Sequence, residues 1–242
     1  GLITPDSIFF CYNGRYQESG VTLRDHRAYG YLSAEEILAK SSNIGVYMLA
    51  KKIGRHTFHS YIKDFGFTRK TGVELTAESS GAVTRPDSKW WSKTSLSRIA
   101  MGYEVDVTAL QMVNALCVIA NGGTLFQPQI IQRITSQDGL TMYRFQPKKI
   151  RRVIHEGAAN KVRDALMAVV SKGGTGTKAQ VDGFHVAGKT GTAYKPKNPR
   201  NKGYHKGRYV VSFMGFLPAE NPRLAGIIVV DDPKNKGSRY GG

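Results

Sequence analysis

The architecture of this chain follows from one segment, Phe184-His185-Val186-Ala187-Gly188-Lys189-Thr190-Gly191-Thr192-Ala193-Tyr194. Its composition predicts a β-strand, yet it contains Lys189, and a lysine inside a sheet is unusual because an ammonium group is costly to bury without a partner. At a strand edge that faces a cleft, the same lysine would attract a carboxylate. The alternative is an ordinary lysine on an exposed strand, because short motif matches often arise by chance.

The neighbours of Lys189 fit the cleft interpretation. The hydroxyls of Thr190 and Thr192 would hydrogen-bond a carboxylate, and Gly191 would leave room for a peptide lying along the strand. The backbone N–H of Thr192 would then point at the carbonyl of that peptide, as one half of an oxyanion hole. The segment therefore predicts a site that binds a peptide through its carbonyl group and its terminal carboxylate.

Two further strands, at 208–217 and 224–230, are predicted after this segment. The last is almost wholly apolar, as expected for a strand covered on both faces. Upstream, three helices are predicted. The first, 34–40, begins with a capping box at Ser33, and the second, 44–53, ends in a left-handed cap at Gly54. The third lies around 58–65. Two more follow at 109–120, after a capping box at Thr108, and at 158–171.

Helices followed by a run of strands are typical of an α+β fold. We divide the single domain 1–242 into a mostly helical part (1–123), a strand hairpin (124–155) and a final helix with sheet strands (156–242). The first thirty residues are expected to be irregular, and 68–106 is expected to be a long connection with little periodicity.

The formal net charge is +17, from 35 Lys and Arg against 18 Asp and Glu. Such a charge attracts polyanions, so nucleic acid is one candidate partner. The basic residues are spread along the chain, however, and their one concentration, 195–208, contains Pro and Gly and is predicted to be a loop facing solvent or anions. We therefore predict no nucleic-acid partner; steep salt-dependent DNA binding would contradict this.

The cysteines and the chain ends give weaker indications. Cys11 and Cys117 match no metal-ligand spacing and are expected to be free thiols, with Cys117 in the core; a disulfide remains an alternative in an oxidising compartment. No metal or cofactor is predicted. The chain begins at Gly1, closes on a polar stretch and contains no membrane-length apolar run, so we expect an excised segment, and these features leave open whether an anchor or a leader belongs to the missing ends.

A second motif, Ser41-Ser42-Asn43, falls at the predicted junction between two helices. Alone it would be read as helix capping. Followed by Lys189-Thr190-Gly191, however, it resembles the second and third motifs of the serine penicilloyl-recognising enzymes. Asp25-His26 ahead of Gly30 and the run Gly174-Thr175-Gly176-Thr177 extend the similarity along the chain.

The chain thus resembles the transpeptidase domain of a class B penicillin-binding protein, incomplete at both ends. The resemblance implies an antiparallel sheet packed with helices plus a mostly helical subdomain, as in the serine β-lactamases. It also implies that a serine attacks D-Ala-D-Ala in peptidoglycan stem peptides, that β-lactams acylate the same serine, and that partners in wall synthesis bind regions outside this segment. The expected location is the bacterial cell envelope, at the outer face of the cytoplasmic membrane.

The resemblance also implies roles for individual residues. Ser41 would relay a proton to the leaving amine, and Asn43 would orient the base and the substrate amide. Lys189 would supply the positive field, with Thr190 and Thr192 on the substrate carboxylate and Gly191 between them.

This chain departs from the family at the nucleophile, which is the serine of a Ser-x-x-Lys motif. The only such motif here, Ser60-Tyr61-Ile62-Lys63, follows Ser41 instead of preceding it, so Ser60 is predicted to lie on a helix surface. We expect the nucleophile to precede Gly1 in a longer protein, and the fragment alone to be inactive and poorly folded; a natural degenerate homologue is the alternative. A β-lactam sensor, a D,D-carboxypeptidase or a β-lactamase of the same fold are alternative functions.

Overall fold

A computed structural model describes residues 2–197 and 203–234 of the chain. Within these residues the helices are α1 (Ala34–Lys40), α2 (Asn43–Ile53), α3 (Arg55–Asp64), α4 (Ser95–Ala100), α5 (Ala109–Ala120) and α6 (Glu156–Val170). The strands are β1 (Ile8–Phe10), β2 (Arg15–Glu18), β3 (Val21–Arg24), β4 (Tyr31–Ser33), β5 (Ala82–Val83), β6 (Val105–Asp106), β7 (Thr124–Phe126), β8 (Arg133–Thr135), β9 (Thr141–Arg144), β10 (Lys149–Arg152), β11 (Ala187–Pro196), β12 (Tyr204–Leu217) and β13 (Leu224–Asp231).

The main sheet is antiparallel, with β12 between β11 and β13. Strand β11 is therefore an edge strand among the described residues, as the cleft interpretation requires. Helix α6 contacts β11, and α5 contacts β12 and β13. The two helices and the sheet share a core cluster, formed by Leu116, Leu166, Ala187, Phe216 and Ala219. The α+β prediction is confirmed.

The helical part has a core of its own, formed by Cys11, Leu23, Leu32, Ile37, Ile44 and Tyr47. Both predicted capping boxes are present, at Ser33 and at Thr108. Helices α1 and α2 approach closely at Gly45, where a Cβ atom would lie 2.5 Å from Ile37 Cγ1. Gly54 ends α2 as predicted, but its φ of 85° and ψ of 146° are not those of a left-handed cap, because it also opens α3.

The first thirty residues are more regular than predicted, because they contribute three short strands, and a fourth, β4, follows directly. Strand β1 pairs with β4, and β2 pairs with β3. The β2–β3 connection is Ser19-Gly20, and both residues have positive φ (49° and 78°), as tight hairpin turns require. These strands were missed because each has only three or four residues with mixed polar composition.

The middle of the chain also differs from the predictions. The connection 68–106 contains helix α4, and its two short strands β5 and β6 pair with each other. The predicted hairpin at 124–155 is two separate two-stranded sheets, β7 with β10 and β8 with β9. The hairpin within this range is β8–β9, and β7 and β10 pair outside it, with Phe126 opposite Lys149.

At the C-terminal side, β11 and β12 extend into the predicted basic loop. Lys195 and Arg208 lie in the strands; Arg200 and Lys202 are outside the described residues. Seven of the eight residues of β13 are exposed, so the expectation that this strand is covered on both faces is wrong for the described part of the chain.

Both cysteines are free, but Cys11 is fully buried, whereas Cys117 is only half-buried and not a core residue. Across residues 2–197 and 203–234, no helix is long and apolar enough to cross a membrane. In the same residues no cluster of His, Cys, Asp and Glu could hold a metal ion.

Candidate active site

Ser41 occupies a strained turn between two helices. It is the C-cap of α1 and has left-handed backbone angles, φ 53° and ψ 45°. Such angles cost a residue other than glycine roughly 1 kcal/mol and persist only where the surroundings impose them. The turn lets α2 start immediately, at Asn43, so the Ser41 side chain stands at the junction instead of on a helix face.

Ser42, the middle residue of the motif, is structural. Its side chain is completely buried, and its Oγ accepts a hydrogen bond from Gly45 N at 2.9 Å, which caps α2. The same hydroxyl donates to Asp25 Oδ2 at 2.7 Å. Asp25 Oδ1 accepts from the backbone N–H of Ile44 at 3.0 Å. The Asp25 carboxylate therefore bonds both to Ser42 and to the first turn of α2.

Asn43 is held from the same side. Its Nδ2 donates to the carbonyl oxygen of Arg24 at 2.9 Å, one residue before Asp25. The end of β3 thus fixes two of the three residues of the motif and leaves Ser41 free to face away. Asp25 is a positioning residue without a predicted role, although Asp25-His26 was among the residues carrying the resemblance.

Lys189 meets Ser41. Its Nζ donates to Ser41 Oγ at 2.9 Å and to the carbonyl oxygen of Thr190 at 3.0 Å. Helix α6 contacts both α1 and β11, which brings together two motifs that are 148 residues apart in sequence. Burial lowers the pKa of Lys189 from 10.5 to about 8. At neutral pH roughly nine tenths of the lysine remains charged, so the site carries a desolvated positive charge.

Thr190 and Thr192 lie on the opposite face of β11 from Lys189, because successive side chains of a strand alternate. Thr190 Oγ1 is 3.0 Å from Thr175 Oγ1. Thr175 belongs to the Gly174–Thr177 loop, which folds back on α6 through a hydrogen bond from Gly176 N to Val169 O at 2.9 Å. Thr175 is a second site residue without a predicted role; its signal was the paired Gly-Thr pattern.

Gly191 has a neighbour across the sheet. A Cβ atom there would lie 2.5 Å from the hydroxyl oxygen of Ser212, its partner on β12. Close packing of the two strands thus limits the size of residue 191, in addition to the clearance for a peptide that the sequence suggested. Beyond Thr192, a cavity of about 420 Å³ continues along β11 and is walled by Tyr103, Tyr194 and Tyr204.

Ser60 is exposed on α3, as predicted, and so is Lys63. The hydrogen bonds described for Lys189 go instead to Ser41 and Thr190, which lie outside this helix. The structure therefore joins Ser41 with Lys189 and Thr190, and leaves the Ser-x-x-Lys sequence of this chain on a helix surface.

A half-buried lysine on an edge strand that contacts a serine between two helices defines, in an α+β frame, the class of penicillin-binding protein folds. Comparison with known proteins supports this class. The model of the penicillin-binding protein transpeptidase domain matches residues 1–242. The chain belongs to this family.

Penicillin-binding protein PbpB of Mycolicibacterium smegmatis is 34% identical over 242 residues, which are 97% of this chain and 37% of the relative. Peptidoglycan D,D-transpeptidase FtsI of Escherichia coli is 30% identical over 227 residues, 94% of this chain and 36% of the relative. A crystal structure of penicillin-binding protein 3 from Mycobacterium tuberculosis complexed with ampicillin superposes with a TM-score of 0.86 and 35% identity, covering 96% of this chain and 52% of that one. The chain thus spans about a third of the length of these curated relatives.

Proposed function

We propose that this chain supplies the carboxylate-binding wall and the proton relay of a serine D,D-transpeptidase that cross-links peptidoglycan stem peptides. The observation that carries the proposal is the 2.9 Å hydrogen bond from Lys189 Nζ to Ser41 Oγ. It unites the two motifs in one cleft and couples a desolvated cation to a hydroxyl. The name of the Escherichia coli relative, peptidoglycan D,D-transpeptidase, supports the same activity.

In the proposed reaction, the terminal carboxylate of a D-Ala-D-Ala peptide lies at the edge of β11, where the hydroxyls of Thr190 and Thr192 donate to it and Lys189, on the other face, supplies a positive field. The serine of a Ser-x-x-Lys motif attacks the amide carbonyl and loses its proton to a base. The backbone N–H of Thr192 stabilises the oxyanion. The C–N bond then breaks, and D-Ala leaves as an amine.

Ser41 would deliver the proton that the leaving amine needs. Lys189 donates to Ser41 Oγ, so its positive charge makes the Ser41 hydroxyl a better proton donor at the moment of bond cleavage. Asn43, fixed by its bond to Arg24, would orient the base and the substrate amide. In the second half-reaction an acceptor amine attacks the acyl ester, the new amide forms, and the serine recovers its proton.

We infer that the nucleophile lies in residues that precede Gly1 in a longer protein. This proposal is supported by the exposed position of Ser60 and by the share of the relatives, about a third, that the chain spans. A β-lactam would acylate the same serine, and the crystallised complex of the Mycobacterium tuberculosis relative with ampicillin supports this part of the proposal. We further infer a place in the cell envelope, at the outer face of the cytoplasmic membrane, with wall-synthesis partners bound through other regions.

The test is covalent labelling with a fluorescent penicillin, applied to the natural protein and to residues 1–242 alone. The natural protein is expected to be labelled, and 1–242 is expected to remain unlabelled and to lack a cooperative unfolding transition. Ser41→Ala and Lys189→Met in the natural protein should each slow labelling by about 100-fold or more. Ser60→Ala, which removes a hydroxyl from an exposed helix face, is the matched control and should change nothing.

Two results would overturn the proposal. One is covalent label on Ser60, and the other is full labelling of Ser41→Ala. Product analysis separates the reaction classes: transfer to an acceptor amine gives cross-linked dimers, whereas release of D-Ala with water alone would indicate a carboxypeptidase.

A further inference from the structure

The β8–β9 hairpin, residues 133–144, is the most exposed regular element of the described chain. Every residue of its two strands is exposed, so neither face packs on the domain. Its base is nevertheless anchored, because Gln127 Nε2 donates to Gly72 O and Ile130 N donates to Glu74 Oε2 at 3.0 Å. The hairpin is thus held at its base and presented to the surroundings.

The hairpin itself contains Arg133 and Arg144 against one acid, a net charge of +1, and the segment around it is more strongly basic. Residues 124–152 contain six Lys and Arg against one acid, Asp138, a net charge of +5. Arg133 and Arg144 stand directly opposite each other in the ladder, an arrangement that destabilises a strand pair. Within residues 2–197 and 203–234, the guanidinium group of neither arginine forms a hydrogen bond or an ion pair. Two opposed and unneutralised guanidinium groups are complementary to an anionic surface.

The same element exposes large apolar side chains, with Leu140 and Met142 toward its turn and the pair Ile134–Tyr143 next to the arginines. Leu140 and Met142 are each 69% exposed, and Tyr143 and Ile134 are 56% and 50% exposed. Met142 precedes Arg144 by two residues, about 7 Å along a strand. This separation matches the depth, about 5 to 10 Å, to which interfacial elements bury apolar groups below charged headgroups. Apolar side chains toward the tip and arginines toward the base are therefore in the order that a membrane interface requires.

We propose that the β8–β9 hairpin docks on an anionic phospholipid surface. Leu140 and Met142 enter the boundary between headgroups and acyl chains, and Arg133 and Arg144 contact lipid phosphates. The insertion is shallow, because a two-stranded ribbon has free backbone edges that must remain hydrated. A soluble polyanion would neutralise the arginines equally well but would leave the apolar tip in water, which is why a lipid surface is the better occupant.

The experiment measures binding of the longer natural protein, with any membrane anchor removed, to vesicles by flotation. Vesicles with about 30% phosphatidylglycerol in phosphatidylcholine are compared with phosphatidylcholine alone, and only the former are expected to bind the chain. Removing a positive charge near an anionic surface weakens binding about fivefold, so Arg133→Gln with Arg144→Gln should weaken it about 25-fold. Asp138→Asn should strengthen it about fivefold by the same reasoning.

The matched control is Lys52→Gln with Lys63→Gln, which removes two charges from exposed helix positions outside the hairpin. Equal loss of binding in the arginine variant and in this control would overturn the proposal. Absence of any preference for anionic vesicles would also overturn it. Leu140→Ser with Met142→Ser keeps the charge and should still weaken binding; unchanged binding together with full competition by heparin would identify a polyelectrolyte surface instead.

A second readout reports the depth of insertion. Met142→Trp should show a blue-shifted additional emission with anionic vesicles, whereas Ser60→Trp on α3 should not. Identical emission from the two variants would contradict insertion of the hairpin tip.

Discussion

Replacing Lys189 with methionine should remove a pH-dependent part of the stability of this protein. Burial lowers the pKa of Lys189 from 10.5 to about 8, which corresponds to a cost of about 3 kcal/mol for keeping the group charged in the folded state. This cost of the buried charge is fully present below about pH 8, where Lys189 is protonated in both the folded and the unfolded protein. Above that pH the unfolded chain binds more protons than the folded one, so the free energy of unfolding rises with pH.

Between about pH 7 and pH 9.5 this rise amounts to roughly 2 kcal/mol. Lys189→Met should lack it. Near pH 7 the variant should be at least as stable as the natural protein, because the relieved desolvation outweighs the hydrogen bonds lost to Ser41 and Thr190, about 1 to 2 kcal/mol. A group that is kept charged at this cost serves the site and not the fold.

The assay is urea unfolding of the natural protein and of the variant at the two pH values. Cysteine and tyrosine titrations are common to both proteins, so the difference between them isolates residue 189. Lys63→Met, at an exposed position of α3, is the control and should keep the pH dependence of the natural protein. If the natural protein and Lys189→Met gain the same stability on raising the pH, the lysine is not desolvated and the reasoning fails.

The remaining predictions concern the helical part and are checked by thermal or urea unfolding. Asp25→Ala removes the acceptor of two hydrogen bonds at the Ser41–Asn43 junction and should cost about 3 kcal/mol; Asp25→Asn, which keeps one acceptor oxygen, should cost clearly less, and equal costs would contradict the assignment. Gly45→Ala places a methyl group against Ile37 and should cost about 1 to 3 kcal/mol; an unchanged midpoint would show that α1 and α2 can separate freely. Thr108→Ala removes the cap of α5 and should cost about 1 kcal/mol, whereas Thr108→Ser should cost little.

The sequence predicted the elements whose signals are local. A capping box is complete within four residues, and both boxes, at Ser33 and Thr108, begin helices. The long apolar strands of the main sheet were also predicted, with ends that differ by a few residues. The pairing of Ser41 with Lys189 followed from resemblance, since no local rule joins residues 148 positions apart.

What the sequence did not reveal depends on partners that are distant in the chain. Strands β1 and β4 are three residues each and exist because they pair with each other across about twenty residues. The role of Asp25 required knowing that the end of β3 lies against the start of α2. The Ser19-Gly20 pair offered an unused local signal. Glycine readily takes the positive φ that a tight hairpin turn requires, and both residues have a positive φ in the structure.

The left-handed turn at Ser41 makes the site intolerant of length changes. Helix α1 ends at Lys40 and α2 begins at Asn43, so only two residues connect them. One faces the cleft, and the other is buried against Asp25. An inserted or deleted residue would shift these two positions. The serine that contacts Lys189 would then be buried, and the serine that caps α2 would leave its place. Engineered insertions should therefore be directed to an exposed turn outside the helices and the β8–β9 hairpin, such as Asp182-Gly183, where a change in loop length alters neither α1 nor α2.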